Sequence, residues 1–223
     1  MGRVSQTSEL PVGAKSRDYW WTVFAVDPIA LPLTRALVHN RSLSPDAVTA
    51  ISVALGLPTG LAFATGTRAG LIAGSLLFYV SFLLDCVDGK LARALGTSSA
   101  RGMVLDDLGD GARRASASAG LAVYLWRVEG GAQFWLAVAY GLMASYFALI
   151  SGETRAKPST SAGGKWAAAL ARRRLLPTPG TPDVAAIVFV IGPPTTLVVP
   201  ALIVGDTLFA LAILLTVYRL LRR

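Results

Sequence analysis

The feature that most limits this chain is a run of 23 residues, 130–152, without a charged side chain. Two other runs behave alike: 47–64 has 18 residues and 184–205 has 22. A helix that crosses the hydrocarbon layer needs about 20 residues, within a range of about 17–25. Lipid offers no partner to an unbonded N–H or C=O, so segments of this length are expected as helices. Three shorter apolar runs, 69–84, 111–126 and 207–218, reach that length only if the helix continues into charged sequence at one end. The expectation is an all-α integral membrane protein with six transmembrane helices. Gly56, Pro58 and Pro194 fall in or near these spans, where such residues are tolerated.

The charges support this count. Only 15% of residues are charged and 53% are hydrophobic, whereas soluble domains carry about 25% charged residues. With the N-terminus on the cytoplasmic side, 17 of the 21 basic residues fall in cytoplasmic segments. Arg68 and Arg127 lie outside, and Arg113 and Arg114 lie within a span. That asymmetry follows the positive-inside rule. The net charge of +8 is therefore read as topology, and no nucleic-acid partner is expected. Residues 18–40 open with Asp18-Tyr-Trp-Trp-Thr-Val-Phe24 and read as an interfacial amphipathic helix along the cytoplasmic leaflet. An aromatic belt at a helix start is the plainer alternative. The stretch before it has no apolar core and cleavage site, so no secretory signal is expected. Cys86 is the sole cysteine, which rules out an intramolecular disulfide.

The chemistry is concentrated between the second and third spans. The sequence reads Asp85-Cys-Val-Asp88-Gly89-Lys-Leu-Ala92-Arg93, then Gly102-Met-Val-Leu-Asp106-Asp-Leu-Gly-Asp110. Spacings of three and four place each aspartate pair on one helix face. A short connection makes the two helices antiparallel neighbours, so four carboxylates can meet in one cavity at the membrane surface. An acidic side chain in the apolar layer costs at least about 2.5 kcal/mol at a helix centre, and converging like charges add to that. A hard divalent cation, Mg²⁺ or Mn²⁺, neutralises such a cluster through oxygen ligands, and two such ions can clamp a phosphoryl group. Gly89, Ala92 and Gly102 leave room for close approach, and Arg93 can meet a phosphate or a carboxylate. Solvated aspartates at helix ends are the plainer account of either pair alone. Asp107 lies about 100° off the Asp106 face and is given no chemistry.

These residues resemble the CDP-alcohol phosphotransferase (CDP-alcohol phosphatidyltransferase) family. Its pattern, D-x2-D-G-x2-A-R-x8-G-x3-D-x3-D, is filled at all eight fixed positions between Asp85 and Asp110. Leu43-Ser-Pro-Asp-Ala-Val-Thr49 also resembles the family's Pro-Asn-x-x-Thr segment, with Asp46 where Asn is commoner. The resemblance implies a homodimer of six-helix subunits with a polar cavity open to the cytoplasm and two divalent ions, Mg²⁺ or Mn²⁺. It implies Asp85, Asp88, Asp106 and Asp110 as metal ligands, with Asp110 also the catalytic base that takes the acceptor hydroxyl proton. It implies a CDP site lined by Gly89, Ala92, Arg93, Gly102 and Thr49. Arg155, with Lys157, resembles positions that hold an acceptor phosphate. The arginines at 172–174 can contribute, although positive-inside loop charge is the plainer account of them. Residues 178–183 lack the Glu- and Arg-rich segment associated with inositol-phosphate users. On this reading residues 1–40 are a tail and interfacial helix, and 41–223 form the transmembrane catalytic domain in a cell membrane, its site facing the cytoplasm.

The function this implies is transfer of a substituted phosphate from a CDP-linked donor, foremost CDP-diacylglycerol, to a small polar alcohol, with release of CMP in phospholipid biosynthesis. A soluble CDP-alcohol donor with a lipid acceptor uses the same motif. A cation-coupled transporter is the alternative from another class. It calls for carboxylates near the bilayer midplane, whereas these sit at one edge. A catalytically dead membrane scaffold conflicts with the intact set of four aspartates. His39, the sole histidine, is read as interfacial and Cys86 as packing, since Mg²⁺ does not seek sulfur.

Overall fold

The computed structural model describes residues 11–41, 43–155 and 165–222. The regular structure among the described residues is helical, apart from one isolated backbone bridge between Asp18 and Leu175. A π-helical turn, Thr22–Val26, runs into α1 (Asp27–Asn40). Next come α2 (Pro45–Gly56), α3 (Pro58–Ala64), α4 (Arg68–Leu95) and α5 (Ala100–Val128). The chain ends with α6 (Phe134–Arg155), α7 (Lys165–Arg172), α8 (Thr181–Ala185) with its π-helical continuation Ala186–Ile191, and α9 (Val198–Leu221).

Local sequence explains these boundaries. Ser44 caps α2 by accepting the Ala47 N–H at 3.2 Å, and Pro45 occupies the first turn, where its missing N–H costs nothing. Pro58 divides the first apolar run into α2 and α3 without ending its overall course. Thr67 caps α4, Gly96 closes it in the left-handed conformation (φ 67°), and Ser99 caps α5 through Gly102 N–H at 3.0 Å.

Four helical stretches are long and apolar enough to cross a membrane: Pro45–Ala64, Arg68–Leu95, Phe134–Ser151 and Val198–Leu221. Only 17% of the Phe134–Ser151 window is buried against protein, and Leu61, Leu142, Leu149 and Leu214 are well exposed. Such faces are stable in lipid and not in water. The chain is a multi-pass membrane protein. As expected, the second and third apolar runs gain length by continuing into charged sequence: α4 carries on through Asp85 and Asp88, and α5 begins ahead of Asp106.

The last third departs from expectation. The run 184–205 is not one span, and the chain does not turn at Asp206. The helix from Thr181 stops at Ile191, where Pro193 and Pro194 remove donors and Thr196 adopts φ 62°. From Val198, α9 runs unbroken through Asp206 to Leu221.

Two apolar clusters hold the bundle. The larger joins Phe63, Phe78, Tyr140, Phe189 and Phe209, with the Phe189 ring 4.7 Å from Phe78 and 5.2 Å from Tyr140. The smaller seats the N-terminal helix on α4 through Val26, Ala30, Phe82, Val87 and Leu91. This seating brings residues 11–22 over the end of α4 that carries the aspartates.

Candidate active site

The last turns of α4 and the first turns of α5 flank the short connection after Gly96, so their aspartates converge. Carboxylate oxygens of Asp85, Asp88 and Asp106 lie within 4.8 Å of one another. Asp88 is buried, Asp85 half-buried and Asp106 exposed. Oxygens sharing one hard cation are at most about 4–5 Å apart, twice the metal–oxygen distance, so the trio fits a Mg²⁺ or Mn²⁺ ion. The Thr49 hydroxyl donates to Asp88 Oδ2 at 2.5 Å and fixes that carboxylate from α2.

Asp110 stands beside this trio and is held differently. Its carboxylate pairs with Arg113 and, at 3.1 Å, with Arg114. Arg113 is buried. It donates to Ser81 Oγ at 3.0 Å, lies 3.8 Å from Asp85, and stacks its guanidinium on Phe78 and Phe82 at 5.5 and 5.4 Å. One buried cation thus joins the Asp85 and Asp110 carboxylates.

A cavity of about 860 Å³ opens beside these groups, lined by Asp85, Gly89, Arg93, Asp106 and Asp110. Ligand sites of about 300–1,000 Å³ take molecules of nucleotide size. Cationic side chains from the N-terminal segment, α4 and α5 face it: Lys15, Arg17, Lys90, Arg93, Arg113 and Arg114. An anionic ligand is the complement of that lining.

The residues expected at the site separate into groups. Gly89 and Arg93 face the cavity, and Arg93 Nε also donates to Gly13 O at 2.9 Å. Thr49 touches Asp88 and not the cavity wall. Ala92 and Gly102 are absent from the wall: Ala92 O accepts the Thr97 N–H at 2.9 Å, and Gly102 N–H serves the α5 cap. Arg155 ends α6, but its side chain and Lys157 lie outside the described residues. Asp107, given no chemistry from sequence, does line the cavity. The sequence reading missed Arg113 and Arg114, although their spacing of three and four from Asp110 is that of helix-face partners. It also missed a buried ion-pair chain in which Lys90 and Arg174 flank Asp27, each at 3.0 Å. A lone acid within an apolar helix is the signal that could have found it.

Carboxylates spaced for a hard cation, beside a cavity ringed by cations at the end of membrane helices, suit chemistry on a phosphorylated substrate. In class the protein is a membrane-embedded, metal-assisted phosphotransferase. The family model of CDP-alcohol phosphatidyltransferase matches residues 42–218, and the chain belongs to that family. It is an enzyme that transfers a substituted phosphate from a CDP-linked donor to an alcohol, which displaces the transporter reading. A search of curated protein sequences finds no match. Among solved structures, the fold is similar to phosphatidylinositol phosphate synthase (PgsA1) of Mycobacterium tuberculosis. The apo form is 24% identical with a TM-score of 0.60, covering 86% of this chain and 93% of that one. The form with manganese and citrate is 23% identical with a TM-score of 0.62, covering 87% and 88%. The form with CDP-DAG bound is 24% identical with a TM-score of 0.62, covering 87% and 92%.

Proposed function

We propose that the protein transfers a phosphatidyl group from CDP-diacylglycerol to the hydroxyl of a small polar alcohol, releasing CMP. The observation that carries this is the meeting of Asp85, Asp88 and Asp106 beside a cation-lined cavity. Support for the donor comes from the similar fold of PgsA1, whose structure with CDP-DAG is known.

Asp85, Asp88 and Asp106 hold the divalent cation, and Asp110 reaches a second. When bound, these Mg²⁺ or Mn²⁺ ions neutralise the donor's phosphates and polarise the phosphorus that is attacked. Thr49 keeps Asp88 in its ligating orientation. Arg113 and Arg114 pair with the Asp110 carboxylate and hold it at the cavity wall, where it is placed to act as the base. Asp110 takes the proton from the acceptor hydroxyl as the new P–O bond forms and the bond to CMP breaks. Gly89 and Arg93 line the CDP site, and Arg155 and Lys157 serve the acceptor. Ala92 and Gly102 contribute by shaping the two helices that carry the aspartates.

The assembly in this reading is six membrane-crossing helices per subunit, with α5 and Thr181–Ile191 completing the four apolar ones. The N-terminal helix lies along the interface, residues 41–223 form the catalytic unit, and the site faces the cytoplasm of the cell membrane in a homodimer. Exposed Phe24 and Ile29 on the N-terminal helix suit an interfacial position.

The test is CMP release by purified protein in detergent with Mn²⁺, using CDP-diacylglycerol and a panel of glycerol 3-phosphate, inositol 1-phosphate, serine and free inositol. Release with one acceptor establishes the reaction and its substrate. Release only with a soluble CDP-alcohol and a lipid alcohol would reverse the donor and acceptor.

A further inference from the structure

The cavity has a wall that the family's matched segment does not include. Residues 11–22 precede the match at 42–218, yet Lys15, Arg17, Tyr19 and Trp21 line the same cavity as Asp85 and Asp106. This segment is built in. Gly13 adopts φ 71° and packs so tightly on α4 that a Cβ there would lie 2.2 Å from Lys90 O. Its own carbonyl takes the Arg93 hydrogen bond. On the other side it is stitched to the chain after α7: Asp18 N–H donates to Arg174 O at 2.7 Å, and Leu176 N–H to Asp18 O at 3.0 Å. Trp20 Nε1 donates to Leu176 O at 2.8 Å, and Trp21 N–H to Asp183 Oδ1 at 2.6 Å.

A buried ionic chain locks this seam to the catalytic helix. Lys90, two residues after Asp88, is 1% exposed and pairs with Asp27, which in turn pairs with Arg174. Arg174 also donates from Nε to Lys15 O at 3.1 Å. All three charges of this chain are occupied with one another. Lys15 and Arg17 differ: among the described residues neither has an acidic partner within ion-pair distance. Their backbone is fixed, and their charges are presented to a cavity whose other edge is the carboxylate centre.

We propose that residues 11–22 are an active-site strap, clamped by Lys90–Asp27–Arg174, whose Lys15 and Arg17 bind a phosphate group of a substrate. This rests on the proposed function. The phosphate belongs either to the CDP donor or to a phosphorylated acceptor, and experiment separates the two.

The experiment uses the full chain in detergent with Mn²⁺. Binding of CDP and of glycerol 3-phosphate is measured by calorimetry, and KM and kcat by CMP release, for wild type and Lys15→Gln/Arg17→Gln. Both side chains are exposed, so the substitutions spare the fold. Losing charge-assisted contacts should weaken one ligand by about 10-fold or more, with the same rise in its KM and kcat within about threefold. A change in CDP alone assigns the strap to the donor, and a change in glycerol 3-phosphate alone assigns it to the acceptor. Asp27→Asn, which loosens the clamp at a residue that does not line the cavity, should move the same KM in the same direction. Wild-type affinities and KM values for both ligands in the double variant would overturn the proposal. A wild-type protein that binds neither ligand and releases no CMP would instead overturn the function on which it rests.

Discussion

At the residue scale, the four aspartates share a motif but not an environment. Asp85, Asp88 and Asp106 face one another, whereas Asp110 faces two arginines. Asp110→Asn should therefore lower kcat by about 10²–10⁴-fold, the usual worth of a positioned base, and leave CDP binding in place. Parallel turnover and calorimetry check this, and turnover near wild type would remove Asp110 from that role. Arg113 is the counter-charge of the site. Its loss leaves carboxylates facing one another beside Phe78 and Phe82, and breaking a buried pair of this kind costs about 3–5 kcal/mol. Arg113→Met should thus lower the melting temperature, and Mn²⁺ should raise it by more in the variant than in wild type. Equal Mn²⁺ shifts would show that Arg113 and the cation do not share the same charge. The aspartates were legible in the sequence because spacing alone puts them on helix faces. Arg113 was not, because its role as partner of Asp110 and Asp85 shows only once its burial is seen.

At the element scale, the bundle depends on a close crossing of α3 and α5. A Cβ on Gly120 would lie 2.2 Å from Gly60 O, and one on Gly60 would lie 2.1 Å from Ser116 O. Small residues let membrane helices approach this closely. Gly120→Ala should cost about 1–3 kcal/mol through overpacking and weaken Mn²⁺ binding, because α5 carries Asp106 and Asp110. A thermal melt with a Mn²⁺ titration tests both effects. An unchanged affinity would mean that the aspartate end of α5 is positioned independently of this crossing. Helix lengths were read well wherever charge-free sequence matched a span. The reading failed at 184–205 because it weighed a single charge, Asp206, above a proline pair. In the folded chain Pro193 and Pro194 end the helix and α9 accommodates the carboxylate. Ala92 and Gly102 serve the helix ends beside the cavity, a part that their place in the motif does not by itself reveal.

At the scale of the whole molecule, the cavity is assembled from the N-terminal strap, α4, α5, α6 and the segment after α7. Sequence placed the N-terminal helix at the membrane surface but gave no sign that it walls the site. The contacts that reveal this join residues about 160 positions apart, as in Trp20 to Leu176 and Trp21 to Asp183. The proposed topology puts the turn after α4 and the turn before α9 on opposite faces of the membrane. Single cysteines at Thr97 and Thr196, in a Cys86→Ser background, should be labelled by an impermeant thiol reagent from opposite sides of sealed vesicles. Labelling from one side would contradict the span count. The central claim is that Asp85, Asp88 and Asp106 form the metal centre of a CDP-dependent transfer. It is tested most directly by CMP release from CDP-diacylglycerol with the responsive acceptor, comparing wild type, wild type with excess chelator, and Asp88→Asn with Mn²⁺. The account predicts release by wild type, none with chelator until Mn²⁺ is restored, and almost none from Asp88→Asn. Undiminished release with chelator present, or from Asp88→Asn, would contradict it.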